Sequence, residues 1–283
     1  MKKITLTQLV FGTAFLLTML TPIVGSAQII VEEFITDVQP FPITAPDPAN
    51  PGQGFQFNLG SIDIDEDELL VVAVAFEGPS SFSAIQFLGQ EIDPILTEAA
   101  ANASGIQTAI FVSDEVSGSI DLTFATDAAV SFPGFYAASL SGAGEVETAG
   151  AFTDMEGDSS ASFNLTGVGE GSFVLGAYAD QLGLAPDVTV SGDLTEVQNF
   201  NGAGNEIGSA VGAVATGFGT GSSLGVTFSD ASAFIERFQD PILNNRSSFS
   251  FVSIAPAPPA VPEPGSVIVL ALAGLAATTR RRR

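Results

Sequence analysis

Between Gln28 and Ile254 no apolar segment keeps a helical spacing for more than about two turns, so the core has to be built from strands. Short apolar stretches alternate with Gly, Ser, Asp, Asn and Pro, the residues that turn a chain. In Phe55-Gln56-Phe57-Asn58-Leu59 and in Ser119-Ile120-Asp121-Leu122-Thr123-Phe124 the alternation has period two, which puts one face in a core and the other in water. Leu69-Leu70-Val71-Val72-Ala73-Val74-Ala75-Phe76 is apolar throughout, as expected of a central strand covered on both faces. Strands are predicted at 29–38, 55–64, 68–77, 82–92, 106–113, 118–125, 130–140, 160–168, 171–180, 187–198, 209–218, 222–229 and 248–254. Helices of about two turns are predicted at Ile95–Ala103 and Ala231–Phe238. With 30 glycines and 16 prolines among so many short strands, the expected fold is all-β: a single jelly-roll-like β-sandwich of about 12 strands over residues 28–254.

The strands echo one another at a spacing of 104 positions. Leu69-Leu70-Val71 falls opposite Phe173-Val174-Leu175, and Ala73 and Ala75 fall opposite Ala177 and Ala179. Ala109-Ile110 lies over Ala213-Val214, and Ser119–Phe124 lies over Ser223–Phe228. A constant register over three segments suggests two similar halves; with no linker between them, the expectation is one interleaved domain.

Charge divides the chain differently. The whole has 32 Asp+Glu against 8 Lys+Arg and no His, Cys or Trp. Lys2 and Lys3 open it and Arg280, Arg281, Arg282 and Arg283 close it, leaving residues 28–261 with 31 acids, two bases (Arg237 and Arg246), no lysine and a net charge of −29. Such a surface argues against nucleic acid and anionic lipid as partners of the body. The composition also removes zinc sites of His and Cys, Ser–His and Cys–His nucleophiles, Schiff-base lysines and Lys–Asn isopeptide staples.

The ends read as targeting segments. Residues 1–27 have a basic start, an apolar core from Leu9 to Leu20, the helix breaker Pro22 and the small residues Gly25-Ser26-Ala27, so a signal peptide is expected with cleavage after Ala27. At the other end Ala255 to Pro264 is a proline-rich spacer, able to reach ~30 Å at ~3.1 Å per residue. Residues 265–283 follow with the apolar run Val267 to Thr279 and the four arginines. Thirteen helical residues span ~20 Å against a hydrocarbon layer of ~30 Å, which makes a marginal transmembrane anchor. Basic residues at both extremities stay cytoplasmic and the acidic middle is left outside.

The sequence Val261-Pro262-Glu263-Pro264-Gly265-Ser266, the short apolar helix and the terminal arginines resemble the PEP-CTERM sorting signal of Gram-negative bacteria. The resemblance implies an exported protein processed near the Pro-Glu-Pro motif by an exosortase, a membrane-embedded cysteine transpeptidase. It assigns recognition to Pro262, Glu263 and Pro264, transient membrane anchoring to the helix and stop-transfer to Arg280, Arg281, Arg282 and Arg283. Glu68–Gly142, through Leu69–Phe76, Ser83–Ile92, Thr108–Phe124 and Tyr136–Gly142, also resembles a β-sandwich module of secreted and PEP-CTERM proteins, one that implies a fold and no chemistry.

Chemistry within the body has few candidates. Asp63, Asp65 and Asp67 with Glu66 and Glu68, and Asp154-Met155-Glu156-Gly157-Asp158, have alternate carboxylates of the kind that bind Ca²⁺, but neither completes an EF-hand loop and both read as solvated turns. Gly202-Ala203-Gly204-Asn205-Glu206-Ile207-Gly208 has phosphate-loop spacing without the basic residue or the strand and helix such a loop needs. Paired acids suit a glycosidase, but Tyr136 and Tyr178 are the only tyrosines available to grip a sugar. The sequence therefore predicts a non-enzymatic protein without a cofactor, located at the cell envelope or in the exopolysaccharide matrix, with the exosortase as partner and acidic polysaccharide as a second through divalent cations. A lectin-like carbohydrate-binding module and a secreted polysaccharide hydrolase are the rival readings.

Overall fold

The computed structural model describes residues 28–38, 55–77, 82–87, 90–92, 96–99, 106–126, 131–154, 160–180, 188–201, 211–230 and 247–258. Within them lie seventeen strands: β1 Ile30–Val38, β2 Phe55–Ile64, β3 Leu69–Glu77, β4 Phe82–Phe87, β5 Gln90–Ile92, β6 Leu96–Ala99, β7 Ile106–Ser113, β8 Gly118–Thr126, β9 Ser131–Ser141, β10 Ala143–Asp154, β11 Ser160–Leu165, β12 Glu170–Asp180, β13 Val188–Gly192, β14 Thr195–Asn201, β15 Val211–Thr220, β16 Leu224–Asp230 and β17 Ser247–Pro256. They form four antiparallel sheets, ordered β2-β8-β4-β5, β1-β9-β3-β7-β6, β10-β17-β12-β15-β14 and β11-β16-β13.

The sheets stack as four layers in that order, and the apolar run of β3 shows why. Leu69, Val71, Ala73 and Ala75 enter a seam against the third sheet, whereas Leu70, Val72, Val74 and Phe76 face the first. β12 repeats the pattern: Phe173, Leu175, Ala177 and Ala179 join the seam, and Val174 and Tyr178 face the fourth sheet. A strand apolar on both sides has to be covered on both sides. Side-chain size then sorts the layers. Ala73, Ala75, Ala138, Ala177 and Ala179 keep much of the seam narrow. Apart from Phe173 in the seam, the buried phenylalanines among the described residues lie in the outer cores, Phe57, Phe76, Phe111, Phe124 and Phe135 on one side and Phe228, Phe249 and Phe251 on the other. One polar cluster crosses the seam: buried Thr108 Oγ1 lies 3.0 Å from Ser248 Oγ and 2.7 Å from Ser250 Oγ.

The echo is structural. Ala73 pairs with Ile110 and Tyr136 as Ala177 pairs with Val214 and Ser250. Phe57 faces Phe124 as Ala161 faces Phe228. Sheet orders correspond strand for strand, β1-β9-β3-β7-β6 with β10-β17-β12-β15-β14 and β2-β8-β4 with β11-β16-β13. The halves also meet about an approximate twofold: β3 packs on β12, β9 on β15 as β17 on β7, and β1 on β14 as β10 on β6. Self-complementary packing of this kind joins the subunits of a twofold dimer; here both copies are on one chain.

Several expectations are corrected. Instead of a single two-layer sandwich of about 12 strands there are two consecutive sandwich-like halves, not interleaved, sharing one compact unit over Gln28–Ala257. The part of Ile95–Ala103 that is described, Leu96–Ala99, is the edge strand β6 and not a helix, because β7 offers it a hydrogen-bonding edge. Ala231–Phe238 lies outside the described residues. Strand β10 was not predicted, and β17 continues through Ala255 and Pro256, the start of the expected spacer. The halves are joined by Gly142 alone, at φ 65°, a left-handed corner that takes the chain from the second sheet to the third.

The seam yields a test. Ala73→Leu and Ala177→Leu each force extra methylenes between close-packed sheets and are expected to cost about 1–3 kcal/mol. Equivalent positions should give similar losses in urea midpoint; losses confined to one position would contradict the twofold arrangement.

Candidate functional site

Both ends of the body come together at the corner between its halves. Ile30 pairs with Ser141, Ala143 pairs with Pro256, and the Ala257 N–H donates to the Gly142 carbonyl at 2.8 Å. Gln28 is exposed there, whereas Ile29 is only 1% exposed and packs into the seam. The C-terminal segment therefore leaves the body beside the point where the chain enters it.

Next to this corner is a cleft of about 520 Å³ between the halves. Glu66, Asp67 and Glu68 from the β2–β3 turn, Asp114 after β7 and Glu145 of β10 contribute to its walls, with no basic residue among them. The carboxylates of Asp63 to Glu68, expected as a solvated turn, are divided up locally. Glu68 is buried and its Oε2 accepts the Asp65 N–H at 3.0 Å, while the Glu68 N–H donates to the Asp65 carbonyl at 3.1 Å. The Asp63 N–H is taken by Glu33 Oε2 at 2.9 Å, and Asp63, Asp65, Glu66 and Asp67 are exposed. Among the described residues no three acidic side chains converge into a metal site. Met155–Asp158 of the second cluster and the glycine-rich stretch 202–208 lie outside the described residues.

Carboxylates brace the turns instead. Glu147 Oε2 accepts the Gly169 N–H at 2.8 Å and the hydroxyls of Ser172 at 2.8 Å and Ser253 at 3.2 Å. The Gly169 N–H does most to lower the Glu147 pKa below its ordinary 4.5, burial opposes it, and the serine hydroxyls add to it. Glu33, on the first strand of its half, holds the end of β2, and Glu147, on the first strand of the other, holds the β11–β12 turn. Asp193 Oδ2 likewise takes the Gly225 N–H at 2.7 Å. Sequence reasoning missed Glu147, since its strand was not predicted and nothing local marks it among so many acids.

The tyrosines are core residues. Tyr136 lies in the seam with Phe34 stacked at 6.1 Å, and burial pushes its pKa up to about 12. Tyr178 stacks on Phe228 at 4.5 Å and donates to Asp180 Oδ2 at 2.8 Å. Neither forms an exposed platform for a sugar.

The strongest functional signal lies downstream of the corner. Residues 260–283 match the family model of the PEP-CTERM protein-sorting motif. The chain carries that sorting signal. A comparison with curated proteins finds no match. The PEP-CTERM motif takes in Pro262, Glu263, Pro264 and Arg280, Arg281, Arg282 and Arg283, which lie outside the described residues, as does Ala27 of the expected leader. It marks an exported chain sorted through the membrane by an exosortase.

Glu147 has a pH signature. A carboxylate with a lowered folded-state pKa contributes stability that is present above its unfolded value and lost as pH falls through the folded one. Glu147→Gln is expected to be less stable than the native chain at pH 7, with the difference closing on acidification below about 4.5. Paired urea titrations at pH 7 and pH 3 would show it; an unchanged difference would remove the brace.

Proposed function

We propose that this is a non-enzymatic exported protein: it is sorted by its PEP-CTERM tail, released from its membrane anchor by an exosortase and delivered to the cell envelope or exopolysaccharide matrix. The match over residues 260–283 is the observation that carries this reading. Lys2 and Lys3 with the apolar stretch to Leu20 act as the leader, and cleavage after Ala27 suits a compact unit that begins at Gln28. The Val267–Thr279 helix holds the chain in the membrane and the arginines remain cytoplasmic.

The body supports a binding role through charge. A surface with 31 acids and two bases over residues 28–261 attracts divalent cations and repels other polyanions unless those cations stand between them. Acidic polysaccharide bridged by divalent ions is therefore its partner outside the cell. The carboxylates described above serve as braces or face solvent, and the buried tyrosines leave a sugar-gripping hydrolase or lectin site without support of its own.

Two experiments separate the steps. Pro262→Ala with Glu263→Ala should leave a membrane-bound chain that keeps its tail, whereas the native chain loses it; tail removal in both would refute recognition at this motif. Exposure of isolated matrix to EDTA should release the native protein, and retention would eliminate cation bridging while leaving the sorting step intact.

A further inference from the structure

The expected leader boundary places a glutamine at the first position of the mature chain, and the structure shows what lies on each side of it. Gln28 is exposed, Ile29 is 1% exposed within the seam, and Ile30 is already paired with Ser141. Gln28 is thus the one exposed residue of the body ahead of the buried Ile29. A cut after Ala27 leaves the new ammonium in water, whereas a cut one residue later would put it on a buried position, where a charge is costly.

We propose that Gln28 is a modification site, cyclised to pyroglutamate after the leader is removed; the inference rests on cleavage after Ala27. The Gln28 α-amine nitrogen attacks its own side-chain Cδ and a C–N bond forms. The bond from Cδ to the side-chain nitrogen breaks, the amine gives up a proton, and ammonia leaves. The product is a five-membered lactam, and no oxidant, reductant or co-reactant is consumed. The reaction needs the neutral amine, roughly a tenth of the population at pH 7 for an α-amino group with a pKa near 8.

This residue matters because of what the rest of the chain lacks. Lys2 and Lys3 leave with the leader and no other lysine exists, so the Gln28 α-amine is the last primary amine of the mature protein. Its cyclisation leaves a polypeptide with no aliphatic amine, whose only side-chain cations upstream of the tail are the guanidinium groups of Arg237 and Arg246. Amine-directed acyl transfer and Schiff-base formation with reducing sugars then have no target, and all association with a sugar matrix is noncovalent with respect to amines. The lactam also closes to aminopeptidases the end of β1, an outer strand of its sheet.

The full chain, taken from its exporting cells and analysed at once, tests this by intact mass together with labelling by an amine-reactive succinimidyl ester. The expected mature protein weighs about 17 Da less than a chain with an open Gln28 terminus and takes up no label, whereas Gln28→Ala takes up one label per chain. A native chain that begins at Gln28, has the full mass and takes up one label would overturn the modification and preserve the leader boundary. A mature chain that begins at any other residue would overturn both.

Discussion

Two strands apolar on both faces organise this protein. β3 and β12 are the middle strands of the inner sheets, and each sends alternate side chains into two different cores. A sheet built around such a strand cannot leave a face in water without exposing Val, Leu and Phe. Each inner sheet therefore takes an outer sheet on one side and the other half on its second side. The four layers, the seam and the approximate twofold all follow from that requirement. With no cysteine in the chain, no disulfide ties the layers together, and packing with a few hydrogen bonds between layers has to hold them.

Charge sets the second constraint. A body with 31 acids and two bases cannot neutralise its carboxylates in ion pairs. Many of the acids sit on the surface, where water and counterions screen them over about 10 Å. Others accept backbone N–H groups, as Glu33, Glu68, Glu147 and Asp193 do at turns and strand ends, or serine hydroxyls, as Glu32 does from Ser141 at 2.6 Å. Backbone N–H groups are the most abundant donors in a chain without lysine, and a carboxylate that accepts one is held in place as well as satisfied. The same acids that give the body its negative charge therefore also fasten its turns and strand ends.

Much of the fold was legible, and the failures are specific. The run at 69–76 announced burial on both faces, and the spacing of 104 between Ala73 and Ala177 survives as equivalent pairing in the two inner sheets. At β9 and β17 the offset becomes 114, from Tyr136 to Ser250, because the connection before β17 is longer, and the echo fades there in sequence. β10 went unread because Ala143–Asp154 has glutamates, glycines and alanines where a strand usually has branched residues, and it forms as an edge strand only because β17 lies beside it. β6 was read as helix for the same reason: pairing with β7, a distant-contact effect, outweighs a local preference. At the site, the turn reading of Asp63 to Glu68 was available from strand period, but the partner of each carboxylate was not.

The sequence by itself determined the sorting signal and the class of fold. Basic ends around a lysine-free acidic body, the PEP-CTERM tail and the period-two alternation are all local patterns, readable without any contact. Only the tertiary structure decided that the halves follow one another and pack face to face, that both ends of the body meet at Gly142 and that an acidic cleft lies beside them. Those features depend on which distant strands become neighbours, and the many similar short apolar segments of this chain leave that choice to the packing of whole sheets.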